Sequence, residues 1–223
     1  MTEKHFVSLL EDYFSEKGYL TKKELGVGYG IADLVLFKLN PEKCSIRAKN
    51  KQFKRIGNID SFKIFDFLPE IGENKKVIIE DLISIFKISK STLKYTYLKQ
   101  LEKDGYIKKE EDKYYYKING WIPMAKEIIA IEAKLKNWRR GIAQANRYKT
   151  FANKTYLAIP VEQEKNVNKD ILKKNNIGLI LFDYKNKNIK KTKVLFEEPI
   201  NKNKYNLATE FVLKRKLLLK SFS

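Results

Sequence analysis

The stretch Ile128-Ile129-Ala130-Ile131-Glu132-Ala133-Lys134 is an apolar run that ends in an acid and a lysine. A second apolar run, Leu34-Val35-Leu36-Phe37, begins directly after Asp33. Both runs are typical of buried β-strands. If they pair as antiparallel neighbours, Asp33 and Glu132 meet, and alternation puts Glu132 and Lys134 on one face. The pattern predicts a site for a hard divalent cation beside an ammonium that could receive a phosphate.

The composition indicates a globular protein. The 223 residues include 43% hydrophobic and 13% aromatic residues, enough for one substantial domain and a small one. No apolar stretch reaches the roughly 18 residues that span a bilayer, and the N-terminus lacks the plan of a signal peptide. We therefore expect a cytoplasmic protein with no membrane partner. A single cysteine, Cys44, excludes an intramolecular disulfide, and a single histidine, His5, excludes a site that needs two imidazoles.

The formal net charge of +19 favours a polyanionic partner, and nucleic acid is the first candidate. The alternative is that an AT-rich genome or a hot habitat has enriched the chain in lysine without any ligand. The charge is unevenly distributed, with a net +4 on residues 1–57, +1 on residues 58–118 and +14 on residues 119–223. The excess therefore lies mainly in the last part of the chain.

The near-neutral piece, residues 58–118, is predicted to fold separately. Its predicted elements are amphipathic helices at 59–70, 80–86 and 89–100 and hairpin strands at 106–109 and 114–118. Ser89 is a plausible N-cap of the third helix, and Gly105 ends it. Three helices followed by a hairpin resemble a winged helix-turn-helix domain. The resemblance implies DNA contacts from Lys90, Ser91, Lys94 and Tyr95, whereas the alternatives are a solvated helix face and a module that docks a protein.

The flanking pieces, residues 1–57 and 119–223, are predicted to form one domain that residues 58–118 interrupt. Its predicted helices are at 3–17, 138–152, 168–174 and 207–220, and its predicted strands are at 19–25, 33–37, 128–134, 155–160, 177–182 and 191–196. Residues 47–57 are predicted to be a basic link. The plan is an α/β domain with helices on both faces of a sheet.

These pieces resemble the PD-(D/E)XK nucleases, also called the restriction endonuclease-like superfamily. Asp33 is similar to the family's metal-binding aspartate, although Ala32 stands in place of the preceding proline. Glu132 is similar to the family's second metal ligand and Lys134 to its catalytic lysine. Ala133, between them, is similar to a residue whose carbonyl can reach the metal. Gln144 and Tyr148 are similar to the Gln-x-x-x-Tyr pair of RecB-like members. The resemblance implies a restriction endonuclease-like mixed β-sheet flanked by helices and interrupted by a winged-helix insertion.

The resemblance also implies an activity, namely a Mg²⁺- or Mn²⁺-dependent endonuclease that hydrolyses DNA phosphodiester bonds in restriction or repair. The metal ligands that it implies are Asp33, Glu132, the Ala133 carbonyl and Glu3, with Glu11 competing for the last position. The catalytic residues that it implies are Asp33, Glu132, Lys134, Gln144 and Tyr148. The arginines that could clamp phosphates, or could simply face water, are Arg139, Arg140 and Arg147. The expected partners are duplex or branched DNA and a second copy of the chain, since cutting both strands needs two sites.

Several alternatives stay open. The chain could be a DNA-binding regulator on a nuclease scaffold that does not cut, or a subunit of a restriction or repair assembly. Asp33 could be only a turn residue, and Tyr148 could only pack on the sheet. The acid-x-Lys pattern also occurs at Glu73, Glu111 and Asp183. Asp183 is the strongest competitor because it too closes an apolar strand, but we favour Glu132 because an arginine-bearing helix follows its strand.

Overall fold

The computed structural model describes residues 1–28, 30–118 and 121–213. These residues divide into two compact units. Residues 1–39 and 125–212 form the first unit, and residues 40–124 together with Leu213 belong to the second. The predicted boundaries are at 57/58 and 118/119, whereas the observed ones fall at 39/40 and 124/125. Within the described residues, no helix is long and apolar enough to cross a bilayer.

The first unit is built on one mixed β-sheet. Numbered along the whole chain, its strands are β1 (Leu20–Gly26), β2 (Ile31–Leu39), β5 (Ala125–Ala133), β6 (Lys154–Pro160), β7 (Gly178–Asp183) and β8 (Asn188–Lys191). The described strands form a six-stranded sheet in the order β1-β2-β5-β6-β7-β8. The pairs β5–β6 and β6–β7 are parallel, and the other pairs are antiparallel.

Helices cover both faces of this sheet. The helices of the first unit are α1 (Glu3–Glu16), α7 (Trp138–Tyr148), α8 (Lys169–Lys174) and α9 (Lys202–Glu210), with a 3-10 helix at Val161–Asn166. One face packs on α1 through a cluster that includes Phe6, Leu10, Leu34, Leu36 and Ile131. The opposite face packs on α7 and α8 through a cluster that includes Ile142, Leu157, Leu172 and Leu179. The prediction of an α/β fold with a mixed sheet flanked by helices is confirmed.

The two apolar runs pair as predicted. Strands β2 and β5 are antiparallel neighbours, with Leu34 opposite Ile131. Strand β5 is buried along almost its whole length, because it has strands on both sides and helices on both faces. Leu34 and Ile131 face α1, so alternation turns the next pair in this register, Asp33 and Glu132, toward the α7 face.

The chain after β7 differs from the prediction. The last strand lies at Asn188–Lys191 and not at 191–196. After this strand, Thr192 forms two hydrogen bonds with Leu179 of β7, and the chain then leaves the sheet. Helix α7 ends at Tyr148, four residues before the predicted end. The predicted helix at 207–220 is α9, which begins earlier because Asn201 caps it, and residues 214–220 lie outside the described residues.

The second unit contains the helices and the hairpin that were predicted, and one helix that was not. Its helices are α2 (Pro41–Lys49), α3 (Ile59–Phe67), α4 (Ile79–Phe86), α5 (Lys90–Thr92) and α6 (Lys99–Lys103). A π-helical turn, Leu93–Leu98, joins α5 to α6. Ser89 caps α5 as predicted, and its hydroxyl accepts a hydrogen bond from the Thr92 N–H at 3.2 Å. The hairpin consists of β3 (Ile107–Glu110) and β4 (Tyr114–Lys117).

The π-helical turn changes the spacing of the core residues in this helix. Leu93 and Leu98 lie five positions apart and are both buried, whereas an α-helix would place core residues three or four apart. The additional residue is what a π turn inserts. The turn leaves Lys94 and Tyr95 on the outside, and the Tyr95 side chain is 60% exposed.

Helix α2 lies in a segment that the sequence analysis interpreted partly as a link. Arg47, in its last turn, is fully buried. Its guanidinium donates hydrogen bonds to the Gln52 carbonyl at 2.9 Å, to the Lys54 carbonyl at 3.2 Å and to the Tyr106 hydroxyl at 2.7 Å. A buried charge is stable only when its donors are satisfied. These bonds tie α2 and the segment after it to the residue before the hairpin, which places them in the second unit.

The two ends of the second unit lie next to each other. The Asn40 N–H donates a hydrogen bond to the Met124 carbonyl at 2.8 Å. In the first unit, Leu39 at the end of β2 lies opposite Ala125 at the start of β5. The chain therefore leaves the sheet and returns to it at one point.

We expect Arg47→Met to lower the free energy of unfolding by about 2 to 4 kcal/mol, because its buried acceptors would lose their donors. Urea unfolding followed by circular dichroism measures the change. Lys49→Met, in the same turn of α2 but exposed, is the matched control and should change the free energy by less than about 0.5 kcal/mol. Equal stability of the two variants would contradict this role of Arg47.

Candidate functional site

The residues singled out at the two strand ends lie together around the Lys134 ammonium. Its Nζ is 2.7 Å from Glu132 Oε1, 3.9 Å from Asp33 Oδ2 and 3.5 Å from Glu3 Oε2. Asp33 belongs to β2, Glu132 belongs to β5, and Glu3 lies in the first turn of α1. Carboxylates from three elements of the first unit therefore face one ammonium.

The backbone fixes this arrangement at the end of β5. The Ala133 N–H donates to Asp33 Oδ2 at 2.8 Å, and the Lys134 N–H donates to the Ala158 carbonyl at 2.9 Å. The side chain of Glu132 is 1% exposed, that of Lys134 11% and that of Asp33 31%. The site is therefore open to solvent at Asp33 and at Glu3, whose side chain is 49% exposed. A cavity of about 250 Å³ reaches it there, lined by Glu3, Lys4, Val7, Ser8, Lys23, Glu24 and Asp33.

Burial raises the pKa of both carboxyl groups at the strand ends. Loss of water raises the pKa of Glu132, and the favourable interactions with the Lys134 ammonium and the Tyr148 hydroxyl offset only part of this effect. Burial likewise raises the pKa of Asp33 by more than the Ala133 N–H and Lys134 lower it. Burial lowers the pKa of Lys134, but the neighbouring carboxylates together raise it above its ordinary value. Lys134 is therefore protonated at neutral pH.

Helix α7 brings Tyr148 to the site. The Tyr148 hydroxyl forms a short hydrogen bond with Glu132 Oε2 and lies 2.7 Å from the Ile31 carbonyl. Burial and the adjacent Glu132 raise the pKa of Tyr148, so the phenol keeps its proton and remains a donor. Gln144 lies one turn earlier on the same face of α7. Its Oε1 is buried and has no hydrogen-bond partner among the described residues.

Two features of the site escaped the sequence analysis. Gly141 allows α7 to approach the strand, because a Cβ there would lie 2.6 Å from Leu157 Cδ1 and 2.9 Å from Lys134 Cγ. A glycine inside a helix is the signal that could have revealed this close contact. Lys204 of α9 lies against the turn between β1 and β2, where a Cβ on Gly28 would be 2.8 Å from Lys204 Cε. No sequence signal pointed to Lys204.

The residues at the site fit a divalent cation in part. Asp33 and Glu132 offer carboxylate oxygens and Ala133 offers a carbonyl, and such oxygens are the ligands that Mg²⁺ prefers. Glu132 Oε1 is buried, forms an ion pair with the Lys134 ammonium at 2.7 Å, and accepts no hydrogen bond among the described residues. That oxygen has capacity for a ligand. The described residues contain no group of three or more His, Cys, Asp or Glu side chains placed to hold a metal.

The competing acids are engaged elsewhere. Glu11 pairs with Lys23 at 2.7 Å, so of the two candidate acids on α1, Glu3 and Glu11, it is Glu3 that reaches Lys134. Asp183 caps the turn after β7, and its hydrogen bonds from the Asn186 side chain and backbone lower its pKa. Asp33 accepts a bond from β5 and does not merely cap a turn. Of the acid-x-Lys candidates, Glu132 is the one beside Asp33.

The arginines predicted to bind phosphate lie on α7 in the first unit. Arg139 and Arg140 are exposed, and the guanidinium of Arg139 lies 4.7 Å from the centre of the Trp138 ring. Trp138 itself is buried at the start of the helix. Arg147 is exposed next to Tyr148, and its Cδ would lie 4.0 Å from a Cβ on Gly30.

The other predicted DNA-binding residues lie in the second unit. Lys90 pairs with Glu80 at 2.8 Å, so its charge is partly occupied. Ser91 is exposed. The Lys94 ammonium lies 5.2 Å from the centre of the exposed Tyr95 ring. Ser91, Lys94 and Tyr95 therefore present polar and aromatic groups to solvent from one turn.

We expect Asp33→Asn to raise the free energy of unfolding in EDTA at pH 8, because burial raises the pKa of Asp33 and the ionised carboxylate is therefore unfavourable in the folded state. A raised pKa means that the folded state favours the neutral carboxyl. The difference should therefore be absent below about pH 4, where Asp33 is protonated in both states, and grow as the pH rises through the folded pKa. Denaturant unfolding across this range measures it. Asp12→Asn, exposed on α1, should show no such rise, and a less stable Asp33→Asn at pH 8 would contradict the raised pKa.

Comparison of the chain with protein-family models, with curated proteins and with solved structures finds no match. The resemblance to the PD-(D/E)XK nucleases therefore stays a prediction. It rests on Asp33, on Glu132-Ala133-Lys134, on Gln144 and on Tyr148.

Proposed function

We propose that the chain is a metal-dependent DNA endonuclease, built on a restriction endonuclease-like domain with a winged helix-turn-helix insertion. One observation carries this proposal, namely that Asp33 and Glu132 both face the Lys134 ammonium at the ends of neighbouring strands. Burying charged groups is costly, and apolar residues would stabilise a purely structural position at least as well. A cluster of this kind on strand ends is therefore better explained by chemistry.

Asp33, Glu132 and the Ala133 carbonyl are the groups that would hold Mg²⁺ or Mn²⁺. When bound, such an ion supplies Lewis acidity toward a phosphate oxygen and lowers the pKa of a water molecule. Glu132 Oε1, which is ion-paired with Lys134 but accepts no hydrogen bond among the described residues, supports the assignment of Glu132 as a ligand. Glu3 contacts Lys134 and, at 3.4 Å, the Leu135 N–H, which favours a role in holding the lysine.

The remaining roles fall to side chains that position or donate. Lys134 is protonated and can donate hydrogen bonds to the attacking oxygen and to the charge that develops on the phosphate. Tyr148 holds Glu132 in one orientation through its hydrogen bond to Oε2. Gln144, whose buried oxygen has no partner among the described residues, can accept a hydrogen bond from the nucleophile or from the substrate.

The fold supports the same assignment. Helix α1 precedes the sheet, the candidate residues lie on adjacent antiparallel strands, and α7 follows directly on the strand that carries Glu132. The net charge of +14 on residues 119–223 favours DNA as the partner of this part of the chain. Cleavage of both strands of a duplex or of a branched molecule would need two copies of the site.

The second unit supports a role in DNA contact. Ser91, Lys94 and Tyr95 are exposed at the start of the helix that follows the Ser89 cap. In winged helix-turn-helix proteins the corresponding helix enters the major groove. Lys90 is the weakest member of this group because Glu80 already holds it.

The alternative function is a DNA-binding regulator, or a subunit of a restriction or repair assembly, that does not cut. The exposed Ser91, Lys94 and Tyr95 support DNA binding without cleavage equally well. A plasmid nicking assay with Mg²⁺, with Mn²⁺ and with EDTA separates the two functions. The nuclease requires nicks with a metal and none in EDTA, whereas the regulator binds the plasmid and leaves it intact in all three.

We expect Asp33→Asn to reduce plasmid nicking in Mg²⁺ by about 100-fold or more, because a carboxylate that would hold the ion is replaced by a neutral amide. Binding to the same DNA in EDTA should stay equal or become tighter, since a carboxylate repels phosphate. The matched control is Asp183→Asn, which changes the other acid that closes an apolar strand before x-Lys and should retain full activity. Normal nicking by Asp33→Asn in Mg²⁺ would falsify the assignment.

We expect the double substitution Lys90→Glu and Lys94→Glu to weaken duplex binding by about 10-fold and to reduce the salt slope by about 2, because each phosphate contact contributes about 0.9 to that slope. Fluorescence anisotropy at several salt concentrations measures both quantities. Lys99→Glu with Lys103→Glu, exposed in α6, makes the same change in net charge as a control. Unchanged affinity and slope in the first variant would remove the second unit from the DNA interface.

A further inference from the structure

A second cavity of the first unit, with a volume of about 870 Å³, lies between α8 and the chain that follows β8. We call it the lysine groove. Leu172, Ile177, Leu179 and Val194 give it an apolar floor. Lys173 stands on the α8 side, and Lys191 and Lys193 stand on the other side. The groove thus combines an apolar floor with positive charge on two opposite walls.

Side-chain hydrogen bonds hold the two walls together. Asn176, just after α8, accepts a bond from the Leu195 N–H at 3.0 Å and donates one to the Leu195 carbonyl at 3.2 Å. The Thr192 hydroxyl accepts a bond from the Leu179 N–H at 2.9 Å. The groove is therefore preformed, which reduces the ordering cost of binding.

The positive charge of the groove is mostly uncompensated. Lys173, Lys191 and Lys193 form no ion pair with any residue in the described parts of the chain, whereas Lys169 is held by Glu164 at 2.6 Å and Lys154 is held by Glu127. Asp170 is the one acid among the residues that line the groove. Three free ammonium groups around one cavity favour an anionic occupant with more than one charge.

An exposed aromatic side chain stands beside the groove. Phe196 follows the lining residue Leu195. The Phe196 side chain is 50% exposed, and the Leu195 side chain is 75% exposed. The ammonium of Lys154, which also lines the groove, is 5.9 Å from the centre of the Phe196 ring. Lysines that alternate with exposed apolar and aromatic groups are the combination that binds single-stranded nucleic acid, because phosphates contact the charges and bases stack on the rings.

We propose that the lysine groove binds a single-stranded segment of the DNA substrate, with Lys173, Lys191 and Lys193 on its phosphates and Phe196 against a base. The proposal rests on the proposed function in taking DNA as the polyanion. It adds the substrate class, which is DNA with a single-stranded part such as a flap, a gap or a branched end. Duplex DNA is too wide and too stiff to place its bases on an apolar floor.

The groove is distinct from the candidate site around Lys134. Lys154 and Tyr156, at the start of β6, line the groove, whereas Glu132 pairs with Leu157 further along that strand. Three residues of a strand span about 10 Å. The groove can therefore be altered without touching the carboxylates.

The test is the binding of a fluorescein-labelled (dT)12 strand and of a 12-base-pair duplex, measured by anisotropy in EDTA so that cleavage plays no part. We expect Lys173→Glu with Lys193→Glu, one from each wall, to weaken (dT)12 binding by about 10-fold or more and to lower its salt slope by about 1.4, from two contacts at about 0.7 each. Phe196→Ala should weaken it by about 5-fold to 100-fold through loss of stacking.

Matched controls separate the groove from bulk charge and bulk hydrophobicity. Lys174→Glu with Lys185→Glu changes the net charge equally, with one residue on α8 and one in the turn after β7, but neither lines the groove. Ile200→Ala removes another exposed apolar side chain outside the groove. Both controls should retain (dT)12 affinity within about 3-fold. All of these side chains are exposed, so the fold should be retained.

Three results would overturn the proposal. One is equal weakening of (dT)12 binding by the groove variant and the charge control. Another is an equal loss of duplex affinity. The third is a mononucleotide, dTMP, that competes as strongly as (dT)12, which would identify a nucleotide pocket. If the protein never nicks DNA, and the groove variants alone weaken (dT)12 binding, the groove proposal stands and the proposed nuclease function fails. If the protein nicks DNA normally, and the groove variants do not change (dT)12 binding, the nuclease function stands and the groove proposal fails.

Discussion

The Lys134 ammonium is the charge around which the first unit is arranged. It is mostly removed from water and lies among carboxylates from α1, β2 and β5. A buried ammonium needs such partners, because its lost hydration is otherwise not compensated. This requirement fixes the register of β2 on β5, since a slip of one residue would turn Asp33 to the α1 face. It also fixes the position of the first turn of α1, because Glu3 in that turn contacts the Lys134 ammonium.

The parts of this arrangement that follow hydrophobic pattern could be predicted from the sequence. The runs before Glu132 and after Asp33 are too apolar for anything but central strands, and the strands do pair as neighbours. Asn and Ser caps and a following glycine mark helix ends locally, which is why Ser89 and Gly105 bracket their helix as expected. The choice of Glu132 over Asp183 also followed from context, since only one of the two strands leads into a long helix.

The remaining features depend on contacts between distant residues. Helix α2 was missed because Arg47, a residue that normally faces water, is buried by acceptors at Gln52, Lys54 and Tyr106. Periodicity on α1 could not decide between Glu3 and Glu11, because Lys23 on β1 takes one of them. The last strand was predicted in the wrong place because the apolar residues after Lys191 line the groove or lie at the surface. They do not continue the pairing of β8 with β7. Two buried side-chain oxygens, Glu132 Oε1 and Gln144 Oε1, accept no hydrogen bond among the described residues, and no sequence signal predicts this.

The hydrogen bond between Asn40 and Met124 bears on how the chain reaches this state. Strands β2 and β5 must find each other across the whole second unit, and contacts between such distant segments form slowly because closing a long flexible loop loses chain entropy. Once the second unit has folded, its termini are already adjacent. The intervening chain then acts as a tight turn, and the encounter that brings Asp33 and Glu132 together becomes, in kinetic terms, the closing of a hairpin.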